Sequence, residues 1–175
     1  MPSPIRILIV DDDVDFLQSQ KRLFEQRGFS VLCACSETDA RNALREHKAK
    51  MDVSLIDMDI ETSDSGLKLV ELIAKDYSDI VSVVLAGKGA VENAVLSLQA
   101  GAFTYILKGE TEPALVCEVV PKAATYGCQS RDLQQSLQEA REALRKVAGD
   151  FSHAMETLLR VAEELQKLTL KRPHD

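Results

Sequence analysis

Charged residues stand where three apolar runs stop: Asp11, Asp12 and Asp13 after Ile5–Val10, Asp57 after Val53–Ile56, and Lys108 after Thr104–Leu107. Carboxylates gathered in one shallow site repel one another, which favours a hard divalent cation with oxygen ligands. Mg2+ held by one or two carboxylates keeps positions open for phosphate oxygens, and is the expected cofactor. Such a cation and the Lys108 amine together would offset the charge of an incoming phosphoryl group. A carboxylate beside the cation can act as a nucleophile and form an acyl phosphate, a role that falls to Asp57.

This chemistry requires that the three strand ends meet. Short apolar runs alternate with helical patterns up to about residue 108. Strands are expected at Ile5–Val10, Ser30–Cys35, Val53–Ile56, Ile80–Leu85 and Thr104–Leu107. Helices are expected over Val14–Arg27, from the cap Ser36 to about Lys48, from Ser65-Gly66 to about Lys75, and over Val91–Gln99 with Gly101 as its stop. Near-continuous apolar strands alternating with helices imply a parallel sheet covered on both faces. Five such units make a flavodoxin-like (βα)5 doubly wound domain, with functional groups at the carboxyl ends of the strands. Asp13, third of its run, is read as a cap for the helix at Val14 rather than as a ligand.

Over roughly residues 4 to 126 the chain resembles the receiver domain of response regulators. The matching features are Asp11-Asp12 after ILIV, Asp57 ending VSLID, Lys108 in YILK, the stretch LAGKGAVENAVLSLQAGAFTYILK, and Tyr105 three residues before the lysine. The resemblance implies that Asp57 accepts phosphate and that Lys108 contacts the phosphoryl group. It also implies that Asp12 and Asp57, with Asp11 beside them and the backbone carbonyl of Asp59, hold Mg2+. The implied partner is a histidine kinase or a histidine phosphotransfer protein.

Three departures from the family pattern stand out. The fourth strand usually ends in Thr or Ser, whose hydroxyl bonds a phosphoryl oxygen; Ala86 is here instead. A hydrogen bond to a charged group is worth about 1.5–3 kcal/mol, so its loss weakens the pull that would swing Tyr105 inward. Gly109 replaces the proline that usually follows the lysine, which removes the expectation of a cis peptide. The loop after Asp57, MDIETSDSG, lacks its usual proline and runs one residue longer.

Past the receiver-like part the pattern changes. Leu133, Leu137, Ala140, Leu144, Val147, Phe151, Ala154, Leu158, Val161, Leu165 and Leu168 recur in alternating steps of four and three. That is a heptad seam, and a long helix apolar on one stripe wants a partner. A homodimer through residues 130–170 is expected, with a four-helix bundle or a fold-back onto the first part as alternatives. Pro113 suits the first turn of the fifth helix, Pro121 should kink it, and Gly127 is read as a hinge. The expected domains are 1–126, a receiver, and 127–175, a coiled-coil segment.

The segment VAGDFSHAMETLLRVAEEL resembles the first helix of the dimerisation and phosphotransfer domain of sensor kinases, through Ala148-Gly149, His153, Thr157 and Leu158-Leu159. His153 falls off the seam, where an imidazole could accept a phosphoryl group. Ala154 stands where that family carries an acidic residue. An exposed helical histidine is ordinarily inert surface.

Across 175 residues, 45% are hydrophobic and 28% charged, the balance of a soluble globular protein. With no Trp and 5% aromatics, the core must be aliphatic. The net charge of -7, its negative excess ahead of Gln129, argues against a nucleic-acid surface. Cys33, Cys35, Cys117 and Cys128 lack metal-site spacing and are expected to be reduced. The start MPSPIRILIV carries no signal-peptide pattern, and no apolar run approaches the roughly 20 residues that span a bilayer. A cytoplasmic location without membrane contact is the expectation. The leading function is thus a phosphoryl-accepting signalling module. Part of a hybrid histidine kinase and a phosphorylation-independent adaptor are the competitors. Nothing in the chain resembles a nucleotide-binding loop, so no kinase activity of its own is expected.

Overall fold

The computed structural model describes residues 3–47, 51–62, 65–87, 91–109 and 112–170. The elements run β1 (Arg6–Val10), α1 (Val14–Glu25), β2 (Ser30–Ala34), α2 (Glu37–His47), β3 (Val53–Asp57), α3 (Ser65–Asp76), β4 (Val81–Ala86), α4 (Val91–Gln99), β5 (Thr104–Leu107) and α5 (Glu112–Leu170). The expected end of α2 near Lys48 lies outside the described residues. The strands form one parallel sheet of order β2-β1-β3-β4-β5, the flavodoxin-like doubly wound arrangement.

Alternation along the strands sorts the core into two layers. Leu8, Val10, Ile56 and Val84 pack with Ala40 and Leu44 of α2 and with Leu69, Val70 and Ile73 of α3. Ile7, Ile9, Val53, Leu55, Val83, Leu85 and Ile106 pack with Leu17 and Phe24 of α1 and with Val116, Val120 and Ala123 of α5. Both layers are aliphatic apart from Phe24, as the composition requires. Apart from Asp57 at the end of β3, the buried polar residues described in the sheet are a pair: Ser54 and Ser82 face each other in register, and their hydroxyls bond at 3.0 Å.

Local signals set the helix ends. Asp13 caps α1, its carboxylate accepting from the amides of Asp15 and Phe16. Ser36 caps α2 by accepting from Asp39 N at 3.0 Å. Gly28, at φ +84°, takes the left-handed turn after α1 that a side chain would disfavour.

The chain divides into two compact units, Met1–Arg131 and Asp132–Asp175. In the first, Arg6 and Arg131 both pair with Asp52, at 3.3 and 3.9 Å. Gly127, read as a hinge, stands at a packing position. It is buried inside α5, and a Cβ there would stand 2.8 Å from Cγ2 of Val81, so glycine serves the close approach of helix to strand. Pro121, expected to kink α5, lies inside it, and the Thr125 hydroxyl bonds its carbonyl one turn on. In the second unit Leu133, Leu137, Leu144, Val147, Phe151, Leu158 and Val161 of the heptad stripe are exposed. The side chains of Ala154, Leu165 and Leu168 lie outside the described residues.

Candidate functional site

The sheet brings the strand ends together through its backbone. Asp11 N continues the ladder to Ala34 O at 3.2 Å, Met58 N bonds Leu85 O at 2.9 Å, and Lys108 N bonds Ala86 O at 2.8 Å. Asp57 is in register with Leu85, and Ala86 with Leu107. Side chains at the end of β3 and just beyond β1 and β5 therefore leave the same edge of the sheet.

Asp11, Asp12 and Asp57 each offer a carboxylate oxygen within 4.8 Å of the others. Asp11 and Asp57 are buried, with 1% and 6% of their surface exposed, while Asp12 is open to solvent. The Lys108 amine bridges the two buried acids, donating to Asp11 Oδ2 at 2.6 Å and lying 2.9 Å from Asp57 Oδ1. Asp11 Oδ1 also accepts from Asp13 N at 3.0 Å, which fixes the acidic turn. Asp12 Oδ2 accepts from Glu61 N at 3.3 Å.

Electrostatics follow from this crowding. Burial pushes the Asp57 carboxyl above the usual carboxylate range, and Asp11 and Asp59 add to the rise against the pull of Lys108. Burial works to lower Lys108, but hydrogen bonds to Asp11 and Asp57 outweigh it and hold the amine above its ordinary value. Burial, and then the charge of Asp59, raises the Tyr105 phenol. Three converging carboxylate oxygens with one of the acids open to solvent are a donor set suited to a hard divalent cation.

Asp59 is exposed in the turn after β3, its carboxylate outside the three-acid cluster. Ala86 is buried at the end of β4. Tyr105, half-buried, packs against the layer that holds Ile56 and Val84. The described residues contain no cis peptide, in keeping with Gly109 after the lysine. His153 is exposed on α5, in a groove it shares with Glu156, Thr157 and Arg160.

A family model described as the response regulator receiver domain matches residues 7–120, more than half of the chain. The chain belongs to the response regulator receiver family. Among curated relatives, it is 30% identical over 117 residues to the transcriptional regulatory protein PrrA of Mycobacterium tuberculosis, covering 67% of this chain and 47% of that one. It is 34% identical over 105 residues to the nitrogen assimilation regulatory protein NtrX of Azorhizobium caulinodans, covering 58% and 22%. A solved CheY-like receiver domain from Methanospirillum hungatei superimposes with a TM-score of 0.66 at 28% identity, over 73% of this chain and 99% of that one. The chain thus spans about half or less of the length of these curated relatives, and nearly all of the isolated receiver.

Three features of this receiver site escaped the reading of its sequence. Phe16 contributes a ring 4.5 Å from the Lys108 amine. Glu61, at φ 56°, ties its amide to Asp12 while its carboxylate accepts from Glu37 N at the start of α2. Gly66 lies where a Cβ would collide with the carbonyl of Asp57 and stand 2.7 Å from that of Met58. Only the last had a signal, a glycine at the mouth of a helix that follows the site.

Proposed function

We propose that this receiver accepts a phosphoryl group on Asp57 from a histidine kinase or a histidine phosphotransfer protein. The observation that carries the reading is the convergence of Asp11, Asp12 and Asp57 around one point with the Lys108 amine 2.9 Å from Asp57. Asp12, Asp57 and the backbone carbonyl of Asp59 would hold Mg2+, with Asp11 behind them. Bound there, the cation supplies charge neutralisation for the phosphoryl oxygens. An Asp57 oxygen forms the new bond to phosphorus while the donor's N–P bond breaks and the imidazole leaves. Lys108 then exchanges a carboxylate partner for a phosphoryl oxygen. Incubation with acetyl phosphate and Mg2+, followed by mass mapping, tests this: an adduct on Asp57 that Asp57→Asn abolishes is the expected result. No adduct, or one that survives the substitution, ends the reading, and failure to bind Mg2+ favours an adaptor role.

The response to phosphorylation is weak on this reading, because Ala86 offers no hydroxyl to the phosphoryl group. The chain works in the cytoplasm with its cysteines reduced; Cys33, Cys35, Cys117 and Cys128 are free, and no described helix is long and apolar enough to cross a membrane. Residues 130–170 pair with those of a second copy as a coiled coil, a reading supported by the exposed heptad stripe. Light scattering on the full chain and on a Leu144→Glu, Phe151→Glu variant tests this; a monomer in both cases defeats it.

A second reading, in which the chain is part of a hybrid histidine kinase, draws on the exposure of His153 beside Thr157 and Arg160. It predicts acid-labile, base-stable phosphate on His153 after loading of Asp57. Its absence leaves that histidine as surface.

A further inference from the structure

Lys108 has a neighbour that accepts no hydrogen bond. Its Nζ sits 4.5 Å from the centroid of the Phe16 ring, while bonding Asp11 at 2.6 Å and lying 2.9 Å from Asp57. Phe16 is held by the acidic turn itself, since its amide donates to the capping carboxylate of Asp13 at 3.0 Å. Its half-buried ring packs against the layer formed by Ile9, Leu55 and Leu85. Phe16 is thus held twice, by its backbone to the loop of acids and by its side chain against the core layer.

A lysine side chain is a flexible four-carbon stem with three donors, and two buried carboxylates alone leave it free to settle on the nearer one. Here the nearer is Asp11, which is not the nucleophile. An aromatic face within about 6 Å attracts the ammonium without competing for its protons. It also excludes water from one side of the ion pair, and it does not have to be released when phosphoryl oxygens arrive.

We propose that Phe16 is a positioning residue for phosphoryl acceptance, holding the Lys108 ammonium at the point between Asp11 and Asp57 from which it reaches both. This rests on the reading of Asp57 as the acceptor, and the comparison below separates the two. Phe16→Leu keeps an apolar side chain but removes the π face; Phe16→Tyr keeps both. The full chain and each variant are treated with acetyl phosphate and Mg2+, and the maximal rate of Asp57 phosphorylation is measured alongside Mg2+ affinity.

The expected result is a maximal rate about five-fold lower in Phe16→Leu, with Phe16→Tyr close to the parent and Mg2+ affinity unchanged in both. A Phe16→Leu rate within two-fold of the parent overturns the proposal. So does a Phe16→Tyr variant as slow as Phe16→Leu, which would trace the loss to packing, or a Phe16→Leu variant with weakened Mg2+ binding, which would trace it to the acids. If the parent chain itself takes no phosphate while binding Mg2+, the acceptor reading fails and this inference falls with it.

Discussion

Lys108 lies closer to Asp11, at 2.6 Å, than to Asp57, at 2.9 Å, and its side chain is mostly withdrawn from water between two acids that are almost wholly buried. Removing one partner of a buried ion pair strands the other charge, at a cost of about 3–5 kcal/mol. Lys108→Met should therefore lose about 3 kcal/mol of stability in EDTA, the lower end because the amine keeps some solvent contact. A divalent cation would stand in for the missing charge, so adding Mg2+ should recover part of that loss. Urea unfolding in the two conditions checks this, and an equal loss in both would mean that the acids hold no cation.

Asp57 gives a pH dependence whose sign is fixed. Its carboxyl is raised by burial and by Asp11 and Asp59, so the folded state holds the proton more tightly than the unfolded chain does. Stability from this group is complete below the usual carboxylate pKa of about 3.9 and is lost as pH climbs through the raised value. Asp57→Asn, which cannot ionise, should melt a few degrees above the parent at pH 7 without metal. The gap should close near pH 3, and thermal unfolding across that range reads it directly.

Gly66 is expected to tolerate no side chain. A Cβ there would meet the Asp57 and Met58 carbonyls and stand 2.8 Å from the Met58 Cα, all backbone atoms that cannot rotate aside. Gly66→Ala should cost about 3 kcal/mol, toward the upper end of overpacking effects, and should weaken Mg2+ binding by displacing the turn after β3. A variant as stable as the parent would show that α3 can shift freely.

Gly127 and Gly149 lie in the same helix and should respond in opposite ways. Nothing lies within 4 Å of a Cβ at Gly149, so Gly149→Ala should gain up to about 1 kcal/mol of helix stability. At Gly127 the same gain meets a Val81 methyl at 2.8 Å, and the variant should be no more stable than the parent. Circular dichroism melts of both compare them.

Ala86→Thr should enlarge the response to phosphate. If the hydroxyl bonds a phosphoryl oxygen, about 1.5–3 kcal/mol becomes available to draw the loop and Tyr105 inward. Near-ultraviolet spectra with and without acetyl phosphate, with a Tyr105→Phe control to isolate that ring from the other two tyrosines, measure the change, and an effect no larger than the parent's would disprove the account of weak switching.

The strands and the meeting of their ends were legible because both follow from pattern. Val53–Ile56, Thr104–Leu107 and Val91–Gln99 are marked by apolar patterning and by stops such as Gly101, and a doubly wound sheet collects strand ends on one edge. What stayed hidden depends on contacts distant in sequence. Phe16 sits in an amphipathic helix where an aromatic reads as core, and only the fold sets Lys108 above it. Gly127 looked like a pivot because glycine interrupts helices, whereas Val81 makes it a packing residue. The left-handed Glu61 is held by Asp12 on one side and the start of α2 on the other, neither of which its own neighbours announce.

The peptide carbonyls of Leu85 and Ala86, neighbours on one strand, hold the residue after Asp57 and Lys108 itself. The interval between the backbone at the acid and the backbone at the lysine is consequently dictated by main chain, whatever side chain position 86 displays. A change at 86 can make the protein more or less responsive to its phosphate while the machinery that receives it keeps its dimensions. Receptivity and output are thereby open to separate adjustment, one residue at a time.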